Sequence, residues 1–287
     1  MPSIICPLCR LALQRDEKAW HCENRHSFDV AREGYVNLLP VQYKNSRDPG
    51  DDAQMVQARR DFLQAGHYQP LRDAVLRMLA PLHAQSLLDI GCGEGWYTGA
   101  FTPIAADVTG LDIARPAIRL AAKRYPDITW LVGSGALLPI ADASIDIVSN
   151  MFTQLHVAEM QRVLKAHGHV LVVTPAPDHL WSIRERLFDD VRAHDPDKFL
   201  ADFESGFELQ SRQIVRFALN LDQAGLRQLL QMTPYAWKAR PDRRAALSVQ
   251  ARFETEAAFS LLLFRCRNGA TAQDSCRSFE SALRAQG

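Results

Sequence analysis

Short apolar runs alternate with amphipathic stretches through the middle of the chain. Segments near 86–90, 108–112, 128–132, 145–149 and 169–174 read as buried strands, because a parallel sheet covered on both faces gives its strands no polar side. Helical patterns near 96–102, 115–124 and 154–165 separate most of them. Upstream, one helix is predicted from about Gln54 to Phe62 and another from about Tyr68 to Leu82. In the latter, Leu71, Val75, Leu79 and Leu82 recur at helical spacing. This alternation predicts an α/β fold, with helices on both faces of a parallel sheet and ligand at the carboxyl ends of its strands. Residues 180–247 read as a helical insertion, from Arg184–Phe188 and from Leu226, Leu229 and Leu230. The run Phe259–Phe264 reads as a late strand closing the sheet.

The first predicted strand ends in Asp89 and enters a loop with glycine at every second position, Gly91, Gly93 and Gly95. Glycine lets backbone N–H groups approach a ligand because no Cβ intervenes. Asp112 ends the next apolar run, where an acidic side chain can hold ribose hydroxyls. A dinucleotide loop would carry its third glycine where Trp96 stands, a residue too large to let the helix pack behind a pyrophosphate. The loop instead resembles the S-adenosylmethionine site of Rossmann-like methyltransferases. That likeness implies an orienting role for Asp89 and a ribose-binding role for Asp112.

Near the N-terminus, Cys6-Pro7-Leu8-Cys9 is followed after 12 intervening residues by Cys22 and, at a C-x₃-H spacing, His26. Two such turns can close a tetrahedral Cys₃His zinc site, and segments this short would draw most of their folding free energy from the metal. A redox C-x-x-C fits poorly, since that motif opens a helix in a βαβ setting. His21 neighbours Cys22, but adjacent residues of an extended chain face opposite ways, so Cys22 is taken as the ligand. Cys92, Cys266 and Cys276 lack ligand spacing and read as structural.

Composition narrows this picture little. The 287 residues can bury one large core and carry a small accessory unit. The 33 basic and 33 acidic residues cancel, so overall charge gives no support to a nucleic-acid partner. Between Gln210 and Leu247, however, Arg212, Arg216, Arg227, Lys238, Arg240, Arg243 and Arg244 stand against only Asp222 and Asp242. That cluster suits phosphates or a solvated helix face about equally. No apolar run approaches the ~20 residues that span a bilayer. The N-terminus lacks a signal pattern, so a cytoplasmic location without membrane contact is expected. The polar loop Lys44–Asp52 is expected to be mobile.

Several connecting motifs sharpen the reading: His26-Ser27-Phe28-Asp29, Glu33-Gly34-Tyr35-Val36-Asn37-Leu38-Leu39, and Arg47-Asp48-Pro49-Gly50-Asp51. To these add Ala58-Arg59-Arg60-Asp61-Phe62-Leu63, Gly66-His67-Tyr68, and Met232-Thr233-Pro234-Tyr235-Ala236-Trp237. Together they resemble the bacterial 23S rRNA guanine-N1 methyltransferases, over nearly the whole chain up to about Pro241. The resemblance implies a Rossmann-like class I methyltransferase fold behind a zinc-binding RNA-recognition module. The parts would be 1–40 for the module, 41–82 for linker and packing helices, and 83–287 for the methyltransferase domain, with its helical insertion at about 180–247. It implies Zn²⁺ on Cys6, Cys9, Cys22 and His26. It also implies S-adenosylmethionine on Tyr68, Gly93, Glu94, Asp112 and His179, to which the glycine loop adds Asp89, Gly91 and Gly95.

Read without the resemblance, Tyr68 could be only a helix-start aromatic and His179 only a loop histidine. The implied partner is a 23S rRNA hairpin-loop guanine, with a homodimer as a candidate assembly. The run Ser149-Asn150-Met151-Phe152-Thr153-Gln154 is reminiscent of small-molecule methyltransferases, which leaves a small-molecule acceptor as the alternative. No general base is identified. Asn150, at the end of the fourth predicted strand, is the catalytic candidate, placed to orient a base edge.

Overall fold

The computed structural model describes residues 3–40 and 50–267. Cys276 and most of the loop expected to be mobile lie outside the described residues. A small antiparallel sheet of β1 (Gln14–Arg15), β2 (Ala19–His21) and β3 (Ser27–Asp29) opens the chain. The next strand, β4 (Val36–Asn37), leaves this unit and pairs in parallel with a strand nearly 100 residues later. Helix α1 (Ala53–Gln64) starts at Asp52, whose carboxylate accepts from the N–H groups of Gln54 and Met55, both at 2.8 Å. Helix α2 (Gln69–Leu79) stops short of the expected Leu82. Ala80 keeps α geometry, but Pro81 has no N–H to continue the backbone ladder, and the chain tightens into a 3₁₀ turn over Ala80–Leu82.

The central strands are β5 (Ala84–Ile90), β6 (Ala105–Asp112), β7 (Thr129–Val132), β8 (Ile145–Met151) and β9 (Leu164–Pro175), all parallel to one another. Helices α3 (Arg115–Arg124) and α4 (Val157–Val163) connect β6 to β7 and β8 to β9. The helix expected at 96–102 is a 3₁₀ turn, Thr98–Phe101. Gly99 lies so close to the Tyr125 ring that a Cβ there would sit 2.4 Å from it.

After α5 (Trp181–Leu187) and α6 (Leu200–Phe203), the chain departs from the helical expectation. Residues Phe207–Asp222 form β10, a strand of 16 residues. It pairs antiparallel with β11 (Arg252–Cys266), from Phe207 opposite Cys266 to Asp222 opposite Arg252. Val215, Phe217, Leu219 and Leu221 alternate with Arg216, Ala218 and Asn220, which is the two-residue period of a strand with one solvated face. Helices α7 (Gln223–Met232), α8 (Pro234–Lys238) and α9 (Pro241–Ser248) bridge β10 to β11. The sheet order is β10–β11–β9–β8–β5–β6–β7–β4.

Two apolar clusters cover the faces of this sheet, and the first strand shows why: Leu87 belongs to one and Leu88 to the other. Trp20, Ile4, Val36 and Leu38 join the cluster of Leu88, so the N-terminal unit shares the main core. Backbone bonds reinforce the joint, from Ile5 N to Pro139 O at 3.0 Å and from Leu38 N to Val132 O at 2.8 Å.

Candidate cofactor, acceptor and metal sites

Ile90 stands opposite Leu111 on one side and Asn150 on the other, so Asp89, Asp112 and Asn150 gather at the carboxyl edge of the sheet. There the chain turns through Gly91, Gly93 and Gly95, all left-handed at φ +71°, +57° and +82°. A Cβ on Gly91 would lie 2.6 Å from Thr153, and one on Gly95 would lie 2.6 Å from Trp130. At Gly93 a Cβ would meet no protein atom within 4 Å, and this residue borders a cavity of about 240 Å³.

The acidic residues of that cavity are held differently. Asp112 accepts from Gly93 N at 2.8 Å and from Ala114 N at 2.7 Å, one on each oxygen, which fixes the carboxylate while leaving lone pairs for hydroxyl donors. Burial raises its pKa, against those two N–H groups. Asp89 is 2% exposed and accepts from Thr98 Oγ1 at 2.6 Å; burial pushes its carboxyl up to about 7. Glu94 is also pushed up to about 7 by burial, partly offset by Arg124, Arg59 and Arg60. A left-handed glycine turn open to the cavity, and an anchored carboxylate with spare lone pairs, fit the adenosine moiety of S-adenosylmethionine.

Of the eight residues expected at the cofactor, Asp89, Gly91, Gly93, Glu94 and Asp112 line this cavity. Gly95 supports the turn from behind, against Trp130. Tyr68 and His179 line a different cavity, of about 540 Å³, together with Asn150. The two cavities share Arg59, Leu63, Tyr97, Phe152 and Thr153 and are therefore confluent. Asn150 is 1% exposed, and its Nδ2 donates to Gln154 O at 3.2 Å. Phe152 has a left-handed φ of +62° and is 46% exposed, an uncommon conformation for an aromatic residue.

His179 accepts from Ala258 N at 3.2 Å through Nδ1 and lies against Phe259 at 4.4 Å between ring centroids. Burial, followed by the neighbouring His194, lowers its pKa to about 3, so the ring is neutral and carries its proton on Nε2. In this wall it is a hydrogen-bond donor. Sequence reasoning assigned no role to Arg59, Tyr97, Phe152 or Tyr235. Arg59, which is paired with Asp51, and Tyr235 both lay inside motifs already singled out; that signal was available, while their convergence was not.

In the N-terminal unit, one ligand atom from each of Cys6, Cys9, Cys22 and His26 lies within 4.8 Å of the others. Cys9 Sγ is 3.6 Å from Cys22 Sγ, and His26 Nδ1 is 3.5 Å from both Cys6 and Cys22. A zinc tetrahedron with metal–sulfur bonds of ~2.3 Å has sulfur–sulfur edges of about 3.8 Å, close to these separations. His21 turns the other way, its Nδ1 3.6 Å from Asp16. Cys92 and Cys266 are buried outside the cluster.

Both parts of this chain match known families. A family described as "RlmA, N-terminal", a zinc ribbon, matches residues 4–47, and one described as "Methyltransferase domain" matches residues 88–172. The YcgJ protein of Bacillus subtilis superposes with a TM-score of 0.50 at 19% identity, over 71% of this chain and all of that one, a likeness of fold alone. YxjB of Bacillus subtilis (strain 168) is 32% identical over 258 residues, 84% of this chain and 89% of its own. The 23S rRNA (guanine(748)-N(1))-methyltransferase of Streptomyces fradiae is 33% identical over 270 residues, 91% of this chain and 95% of its own. Identity at that level across nearly the full length of both chains means that this chain belongs to the family of S-adenosylmethionine-dependent, zinc-ribbon 23S rRNA guanine-N1 methyltransferases.

Proposed function

We propose that this protein transfers a methyl group from S-adenosylmethionine to N1 of a guanine in a 23S rRNA hairpin loop, in the cytoplasm. The observation that carries the reading is the pair of confluent cavities meeting at Phe152 and Thr153, one suited to adenosine and the other large enough for a nucleobase. In this reading Gly91, Gly93, Glu94 and Asp112 hold the cofactor. Gly95 keeps the turn in shape, and Asp89 orients it. Tyr68 and His179 line the larger cavity, beyond the junction at Phe152 and Thr153, and Asn150 orients the base edge. When bound, the cofactor supplies an electrophilic methyl group, so this chain's task is to position the attacking nitrogen in line with it.

A base must leave its stack to enter such a cavity, which favours a loop nucleotide over a duplex one. The ribbon, held by zinc on Cys6, Cys9, Cys22 and His26, and the basic residues of α8 and α9 would grip the surrounding backbone. A homodimer joined through edge strand β10, where Leu209 and Ile214 are exposed, completes the proposal; light scattering of the purified protein reports it. Methyl transfer from labelled S-adenosylmethionine to unmodified 23S rRNA, followed by nucleoside mass spectrometry, tests the activity. The expected product is 1-methylguanosine. Cofactor binding without label in RNA would turn the reading toward a small-molecule acceptor.

A further inference from the structure

Methylation at guanine N1 requires that nitrogen to lose its proton, yet the described walls of the larger cavity carry no carboxylate. Its titratable residues are Tyr68, Tyr97, Tyr235, His179, Lys198 and Arg59. Arg59 and Lys198 are cations. His179 is saturated, accepting a backbone N–H on one nitrogen and carrying a proton on the other. Tyr235 differs from the other phenols because its oxygen lies 2.6 Å from Nε2 of His194, a ring that does not line the cavity. His194 is half-buried behind this wall, its own backbone N–H bonded to Pro177 O at 3.0 Å.

An imidazole nitrogen is a far better acceptor than a phenol oxygen, so with a neutral ring the Tyr235 hydroxyl donates to His194. That leaves the lone pairs of Tyr235 facing a cavity ligand. The charged and titratable groups around His194 are Arg184, Lys198 and His179; burial and the two cations hold its pKa down to about 4, so the ring is neutral at physiological pH. Arg184 also lies over the Tyr235 ring, 5.7 Å from its centroid.

We propose that Tyr235 and His194 form the proton outlet of the methyl-transfer reaction: Tyr235 accepts the guanine N1 proton as it passes its own proton to His194. The inference rests on the acceptor being guanine N1, as proposed above. The balance closes. The N1–H electron pair stays on nitrogen and forms the new N1–CH₃ bond. The carbon–sulfur bond breaks with its pair going to sulfur, which loses its positive charge. One proton leaves N1 for Tyr235 while the phenol proton moves to Nε2, so the positive charge ends on His194 and passes to solvent. The unit charge lost at sulfur is thus carried by His194 until its proton leaves. Tyr235 touches the substrate; His194 acts through it.

Two variants separate proton transfer from positioning. Tyr235→Phe keeps the ring and removes the oxygen. His194→Gln keeps an acceptor for the Tyr235 hydroxyl and cannot take up the proton. Both are expected to lower kcat by about 100-fold or more, the range of general base catalysis, with Kd for rRNA and for S-adenosylmethionine unchanged. In both, the remaining rate is expected to rise about tenfold per pH unit as solvent ionises N1 instead, while the wild-type rate stays level above the acid range. A Tyr235→Phe enzyme at the wild-type rate overturns the proposal, as does a fully active His194→Gln enzyme or a loss that follows rRNA affinity. Wild-type protein that makes no 1-methylguanosine would overturn the functional reading itself, and this inference with it.

Discussion

Neighbouring glycines in the cofactor loop carry separable duties. Gly91 and Gly93 are both left-handed, so an alanine at either costs about 1–2 kcal/mol of backbone strain. At Gly91 the new methyl also strikes Thr153, whereas at Gly93 it points into open cavity space. Gly91→Ala is therefore expected to lower the melting temperature markedly. Gly93→Ala should melt within a few degrees of wild type while losing most S-adenosylmethionine affinity; thermal unfolding and calorimetric titration together read both.

The carboxylates give a second expectation. Asp89 and Glu94 are raised to about 7, chiefly by burial, so below that pH they hold protons that a sulfonium ligand must displace. Affinity for S-adenosylmethionine should then rise with pH from about 6 to 8, while that for the uncharged-sulfur product, S-adenosylhomocysteine, rises less. A ratio of the two affinities that is flat across that range, by calorimetry, would show that neither carboxyl faces the sulfonium.

The zinc ribbon looks separable in sequence, because its ligands span only residues 6 to 26 and its strands are two or three residues long. In space it is bound into the domain. β4 extends the main sheet beyond β7, Glu33 pairs with Arg119 at 2.9 Å, and Tyr35 accepts from Arg115 Nε at 2.9 Å. Trp20, Val36 and Leu38 are buried in the same cluster as β5 and β8. Zinc removal by a chelator is therefore expected to lower the unfolding temperature of the entire chain as one transition. A methyltransferase transition left at its original temperature would show the ribbon to be an independent unit.

A two-residue strand such as β4 has no periodicity to detect, which is why only the structure places it. β10 was missed for another reason. From Glu208 to Gln213 every residue is exposed, so the long edge strand offers no apolar run until its alternating second half. The parallel strands and the glycine turn were legible because burial on both faces and left-handed φ each leave a mark on composition. The acceptor wall was not: His179, His194 and Tyr235 come from separate loops and a short helix, and their meeting is a product of tertiary packing.

A chain with balanced charge must bind rRNA through local features rather than through its overall field. The carboxyl edge of the sheet, where the cavities open, also carries α8, and with it the transition from half-buried Tyr235 to Trp237, which is 56% exposed. Arg244 lies over the Trp237 ring at 6.0 Å, an arrangement that presents one aromatic face backed by a cation. Exposed aromatic faces of this kind stack on unpaired bases, and each such contact contributes ~1–3 kcal/mol. On the proposed reading, a guanine entering from a loop would leave its neighbours unstacked two helical positions from Tyr235. Trp237→Ala is accordingly expected to weaken rRNA binding between about fivefold and 100-fold, with little change in its dependence on salt, because no phosphate contact is lost. Arg244→Ala should instead flatten the salt dependence. Filter binding at several salt concentrations separates the two, and unchanged affinity in the tryptophan variant would move the RNA path to another face, with the ribbon the next surface to probe.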